Sequence, residues 1–147
     1  MTALVIGFGN LLRSDDGAGH RLALALARRS PEGVTVLARP QLTPELAAPL
    51  ARASRVLFVD AVWASPSNTT PQFTTLQPLA AAAPFSHGLT PARLLALSAA
   101  LYGHVPPAWQ LLIPAHEGQL GDQLSAATAA ACRTALPLLQ RWSRADA

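Results

Sequence analysis

Lysine is absent from this sequence, and arginine supplies all 11 basic residues. That excludes both a Schiff-base lysine and the lysine of a phosphate-binding P-loop. The single cysteine, Cys132, rules out an internal disulfide. It sits in the alanine-rich stretch SAATAAACRTAL with no histidine close by, a context that suits a buried structural thiol better than a nucleophile. No apolar run approaches the roughly 18–20 residues of a membrane span, so no membrane insertion is expected. The opening MTALVIGFGN lacks a basic segment ahead of its apolar run, so no signal peptide is expected and the expected location is the cytoplasm. Acidic residues are scarce, eight in 147, and the net charge is +3. The arginines are nonetheless scattered, apart from a pair after Ala27 that suits the negative end of a helix dipole. No basic stripe interleaved with aromatics is visible, which argues against a nucleic-acid partner.

What is present reads as one domain over residues 1–147, large enough to fold without a disulfide or a structural metal. ALVIGFG is a short apolar run ending in glycines, a buried strand leading into a tight turn. A helical pattern follows from Asp16 to about Ser30. GVTVLA is a second strand. LTPELAAPLARA is a helix with Thr43 as its cap and Pro44 at its first position. RVLFVDAV is a third strand whose apolar run ends at Asp60. PQFTTLQP is a short strand that its bounding prolines place at an edge. Thr90 and Pro91 start another helix, which Gly103 ends. AWQLLIP is a further strand, and a last helix starts at Ser125, with Pro137 expected to kink it or start a new turn. Strands alternating with helices predict an α/β fold: one three-layer domain with a mainly parallel twisted sheet flanked by helices, phosphorylase/hydrolase-like in type.

In such sheets ligands collect at the carboxyl ends of the strands. Asp15 and Asp16 after the first strand, Asp60 at the third and His87 in PFSHGLTPARLL all fall there. A dinucleotide is disfavoured, because Leu12 stands where the fingerprint needs its third glycine and the second strand ends without an acid. Carboxylates and an imidazole converging from separate loops suit a borderline divalent ion such as nickel or zinc, with positions left open for substrate. Simple capping accounts for one of the adjacent aspartates but leaves the second repelling it. Taken alone, Asp60 could equally be a turn residue and His87 a structural histidine. Neither Ser14 nor Ser86 lies in a nucleophile elbow.

GFGNLLRSDDGAG, LFVDAV and SHGLTPARLL, in this order, resemble the three signature blocks of the hydrogenase maturation proteases, which trim the C-terminal extension from the large subunit of nickel-iron hydrogenases. The resemblance runs from Met1 to about the last helix, and its first block is the most specific. It implies a compact α/β endopeptidase in which Asp16, Asp60 and His87 are both the catalytic and the metal-contacting residues. Nickel would be supplied by the precursor, and the partner would be that nickel-loaded hydrogenase large-subunit precursor. On this basis Asp16 is the ligand, whereas Asp15 caps the helix and shapes the turn, and Gly17 and Gly19 let the helix pack close to the sheet. ARPQLTPELA stands where many members carry a glycine-rich stretch, which leaves the choice of precursor open. Gln41 from that segment, Trp63, His116 and Glu117 are candidate substrate contacts. His20 is a candidate support for the site, and the chain is expected to be a monomer. The rival readings are a non-cleaving, nickel-dependent binding module for the large subunit and an inactive scaffold of the same fold.

Overall fold

The structure is a computed structural model and describes residues 2–78 and 88–145. Five strands, β1 (Ala3–Phe8), β2 (Val34–Arg39), β3 (Arg55–Trp63), β4 (Gln72–Leu76) and β5 (Ala108–Ala115), form one sheet in the order β2-β1-β3-β5-β4. All pairings are parallel except β4 with β5, which is antiparallel at the edge. The helices are α1 (Ala18–Arg28), α2 (Ala47–Arg52), α3 (Pro91–Tyr102) and α4 (Ala126–Arg144).

The three layers follow from the alternation of side chains along each strand. Ala3 and Val5 of β1 and Leu57 and Val59 of β3 face α1 and α4, where they meet Leu22, Leu26, Ala131, Ala135 and Leu139. The intervening Leu4, Ile6, Val56 and Phe58 face α2 and α3 and pack on Leu46, Leu50, Leu94 and Leu95. The central strands are therefore apolar on both faces, and each large side chain buried here contributes about 1.5–3 kcal/mol.

The sequence reading of strands and helices holds, with four differences of detail. The first helix is preceded by a 3₁₀ turn over Ser14–Gly17. Thr43 has extended cap geometry but its side chain does not bond a backbone N–H; its hydroxyl meets the Glu45 carboxylate instead. β3 runs past Asp60 to Trp63, because β5 continues to pair with it there. Pro137 lies within α4, and the helix continues through it to Arg144.

Close approach of α1 to the sheet depends on two glycines. A Cβ on Gly7 would strike the Gly19 carbonyl, and a Cβ on Gly19 would strike the Val59 carbonyl. Gly19 thus behaves as expected, whereas Gly17 faces the Asn10–Leu11 backbone and not the sheet. The consequence is positional: the 3₁₀ turn ahead of α1 packs on the carboxyl end of β3.

Candidate functional site

Chain direction in the sheet singles out one crevice. β1 is followed by β2 on one side, and the chain then returns to β3 on the other side of β1. Loops diverge at such a switch point, which leaves room for a ligand between them. The β1–β3 pairing ends at Gly7 opposite Val59, so Asp60 is the first β3 residue beyond it. The loop leaving β1 carries Asp15 and Asp16 over this same opening.

That loop is fixed by its own hydrogen bonds. The Asn10 N–H donates to Asp16 Oδ2 at 2.9 Å, and the Leu12 N–H donates to Asn10 Oδ1 at 2.9 Å. The Arg13 N–H reaches the Asn10 carbonyl, and the Asp16 N–H reaches the Arg13 carbonyl, both at 3.1 Å. His20 Nδ1 lies 3.1 Å from the Gly9 carbonyl, so the imidazole supports the turn from the helix side. One Asp16 oxygen is thereby anchored on the backbone.

Asp60 is mostly buried and carries the most informative electrostatics of the chain. Burial raises its carboxyl, the Ala61 N–H lowers it, and the nearby Asp16 carboxylate raises it further, so that it titrates at about 7. Two carboxylates are thus brought together, one of them desolvated. A proton or a cation relieves that arrangement.

Asp15 departs from its expected role. It does not cap its own turn or α1, neither of which has a side-chain cap. Its carboxylate, with no exposed surface, turns instead to a segment a hundred residues away in sequence. Oδ2 accepts from the His116 N–H and the Glu117 N–H at 2.9 Å each and from the Ser125 hydroxyl at 2.8 Å, while Oδ1 accepts from the Ser125 N–H at 2.7 Å. Burial pushes this carboxyl up, but the backbone donors of His116, Ser125 and Glu117 with the Ser125 hydroxyl outweigh it and hold the group below its ordinary value. Main-chain bonds continue the seam: Asp15 N–H to Glu117 carbonyl at 3.0 Å, Ser14 N–H to Gly121 carbonyl and Gly121 N–H to Leu12 carbonyl at 2.9 Å each. The Ser14 hydroxyl also donates to the Gln119 carbonyl at 2.8 Å. Asp15 is a buried clamp, and charged hydrogen bonds make it a strong one. Sequence reasoning missed this role of Asp15 with Ser125, although Ser125 was legible as the start of α4. There its hydroxyl also accepts from the Thr128 N–H.

The remaining candidates separate. His87 lies outside the described residues. His116 and Glu117 meet Asp15 through their main chains; the Glu117 side chain is exposed, and both ring nitrogens of the half-buried His116 are shielded from water and lack a hydrogen-bond partner. Trp63 is exposed, with its indole lying over Gly118. Gln41 is exposed just after β2, on the far side of β1 from Asp60. Cys132 is half-buried, and burial pushes its thiol up to about 11, which keeps it protonated as a structural thiol should be. Among the described residues no group of three His, Cys, Asp or Glu is placed to hold a metal ion.

A cavity of about 780 Å³ lies at the opposite end of the sheet, at the amino ends of β1, β2 and β3, lined by Arg29, Arg55 and Arg144 among others. There the Arg55 guanidinium donates to the Trp142 and Ala145 carbonyls at 2.8 and 2.7 Å and stacks on the Trp142 ring, closing the end of α4. This cavity is remote from the carboxylates.

No family model and no curated protein matches this sequence. Solved structures do match. The hydrogenase maturating endopeptidase HybD from E. coli superposes with a TM-score of 0.73 at 20% identity, over 95% of this chain and 90% of its own. The [NiFe] hydrogenase maturation protease HybD from Thermococcus kodakarensis gives 0.73 at 20% identity, over 98% and 100%. The hydrogenase 2 maturation peptidase from Thaumarchaeota archaeon SCGC_AB-539-E09 gives 0.71 at 23% identity, over 99% and 100%. This chain has their fold along nearly its whole length.

Proposed function

We propose that this protein is an endopeptidase that removes the C-terminal extension of a nickel-iron hydrogenase large-subunit precursor after nickel has been inserted. The reading is carried by one observation: Asp16 and Asp60 come together at the switch point of a sheet whose fold is that of named hydrogenase maturation proteases. The signature string around His87 supports adding that residue as the third member of the site.

The residues fit a nickel ion brought by the precursor. Oxygen and imidazole donors suit a borderline divalent ion, and the desolvated Asp60 next to Asp16 favours a positive partner. Such an ion supplies Lewis-acid polarisation of a carbonyl or of a bound water. Asp16 and His87 serve in recognition. Asp60, which changes charge near neutral pH, accepts a proton from the attacking water. Asp15 keeps Asp16 in register by clamping its loop to the α4 end of the molecule. The enzyme acts as a monomer in the cytoplasm. Among the described residues no helix is long and apolar enough to cross a membrane.

The deciding experiment mixes the purified protein with the nickel-loaded large-subunit precursor encoded in the same genome and follows the product by mass spectrometry. Loss of a C-terminal peptide only with nickel present is the expected result. An uncut precursor that binds tightly would replace this reading with the non-cleaving module, and absence of both would remove the hydrogenase assignment.

A further inference from the structure

His116 opens the segment that follows β5, and both of its ring nitrogens are shielded from water without a hydrogen-bond partner. Whichever nitrogen carries the proton, an imidazole brings two groups that need partners. Withdrawing both from water with nothing in exchange is costly, and an apolar side chain would fill the same space without that cost. Packing alone therefore does not account for a histidine here.

The main chain holds the residue in place. The His116 N–H and the Glu117 N–H each donate to Asp15 Oδ2 at 2.9 Å, and the Glu117 carbonyl accepts from the Asp15 N–H at 3.0 Å. With the backbone tied on both sides of its Cα, the imidazole moves only by its own side-chain torsions. The same bonds join His116 to the turn that carries Asp16.

Register places it relative to the second carboxylate. Asp60 pairs with Leu112, and Trp63 pairs with Ala115. Leu112, Pro114 and His116 follow at the two-residue spacing of one strand face, His116 one residue past the end of β5. Along the chain, His116 stands about 13 Å from the partner of Asp60. An extended polypeptide lying along this rim covers that distance in about four residues.

We infer that His116 is a substrate-binding residue whose imidazole turns out of its unsatisfied position when the precursor binds and hydrogen-bonds the precursor main chain, about four residues from the scissile bond. The inference rests on the protease reading and adds a specificity-determining contact to it. A peptide group offers one donor and one acceptor, the complement of a neutral imidazole. A metal ion is the poorer occupant: it would engage one nitrogen only, and among the described residues no group of three His, Cys, Asp or Glu is placed to hold one. Rotamer changes of this kind are common where polypeptides dock. Here the exchange is favoured because the ring gains partners that it lacks in the free enzyme.

The test compares wild type with His116→Leu, which has no polar group, and His116→Gln, which keeps a donor and an acceptor. The exposed His104→Leu serves as a control. KM and kcat for the nickel-loaded precursor come from initial rates, Kd from calorimetry in an Asp60→Asn background, and folding from thermal melting. H116L should melt at or above the wild-type temperature, since two unmet polar groups have gone, while KM and Kd rise about tenfold with kcat within about threefold. H116Q should recover most of the lost affinity, and H104L should match wild type. Unchanged KM and Kd in H116L, with wild type cutting, overturn the contact and leave the protease reading standing. A raised KM with a lower melting temperature, not relieved in H116Q, makes the imidazole a packing residue and likewise overturns the contact. A wild type that binds without cutting removes the protease reading, and the Kd of H116L then decides the contact. A wild type that neither binds nor cuts overturns both.

Discussion

Ser125 and Asp15, 110 residues apart in sequence, are joined by two hydrogen bonds, from the Ser125 N–H at 2.7 Å and from its hydroxyl at 2.8 Å. One side chain therefore starts α4 and holds the loop of the carboxylate site. Replacing Asp15 by Ala strands the N–H groups of His116, Glu117 and Ser125 in a buried place. We expect a loss of about 3 kcal/mol or more in urea unfolding. Ser125→Ala removes only the hydroxyl and its cap, for a loss of about 1 kcal/mol. Equal, small losses in both variants would contradict the clamp.

The pH dependence of stability has a definite sign. Unfolded, Asp60 ionises near 3.8; folded, it keeps its proton up to about 7. The folded state binds more protons between these values, so stability from this group falls as pH rises from about 4 to 7, by at most about 4 kcal/mol. Asp15, held below its ordinary value, acts oppositely: its contribution is present above the ordinary carboxylate range and is lost on acidification below it. Urea titrations at pH 4.5 and pH 8 should show the lower stability at pH 8, and Asp60→Asn should abolish that difference.

Activity and stability should separate at the same residue. Asp60→Asn removes the group assigned the proton and is expected to reduce precursor cleavage by about 100-fold or more. At pH 8 the variant should melt at or above the wild-type temperature, since a desolvated charge has gone. Lost activity accompanied by a lower melting temperature at that pH would mean that Asp60 is structural.

His87→Ala tests the member of the site that rests on the signature string. Cleavage of the nickel-loaded precursor should disappear, with the circular dichroism spectrum and melting temperature unchanged. Full activity in this variant would remove His87 from the site.

Gly19→Ala should be severe although alanine is the better helix former. The added methyl meets the Val59 carbonyl and so pushes α1 and the Asp15–Asp16 turn off β3. We expect a loss of about 1–3 kcal/mol, read by urea unfolding. Gly33→Ala makes a useful contrast: nothing crowds its Cβ, and its cost comes only from a positive φ of 72°.

Much of this was legible in the chain itself. Residues such as Val56 to Val59 form an unbroken apolar run because a central parallel strand is covered on both faces, and that pattern alone marks it. The helix starts at Thr90 and Ser125 are local chemistry: each hydroxyl accepts a backbone N–H three residues on. Asp16 and Asp60 stood out because acids are few, one following the apolar run of β1 and the other interrupting that of β3. The role of Asp15 was misassigned because capping is judged from sequence neighbours, whereas its partners lie beyond residue 115.

Sequence by itself determined the class of fold, the alternating order of strand and helix, and the position of Asp15, Asp16 and Asp60 toward the carboxyl ends of β1 and β3. These depend on periodicity and on hydrogen bonds within a few residues. Tertiary structure alone decided that Asp16 lies close enough to Asp60 to shift its titration, and that Asp15 bonds the α4 end. Each of those facts is a distance between segments far apart along the chain, set by how the sheet orders its strands and how closely Gly7 and Gly19 let α1 approach it.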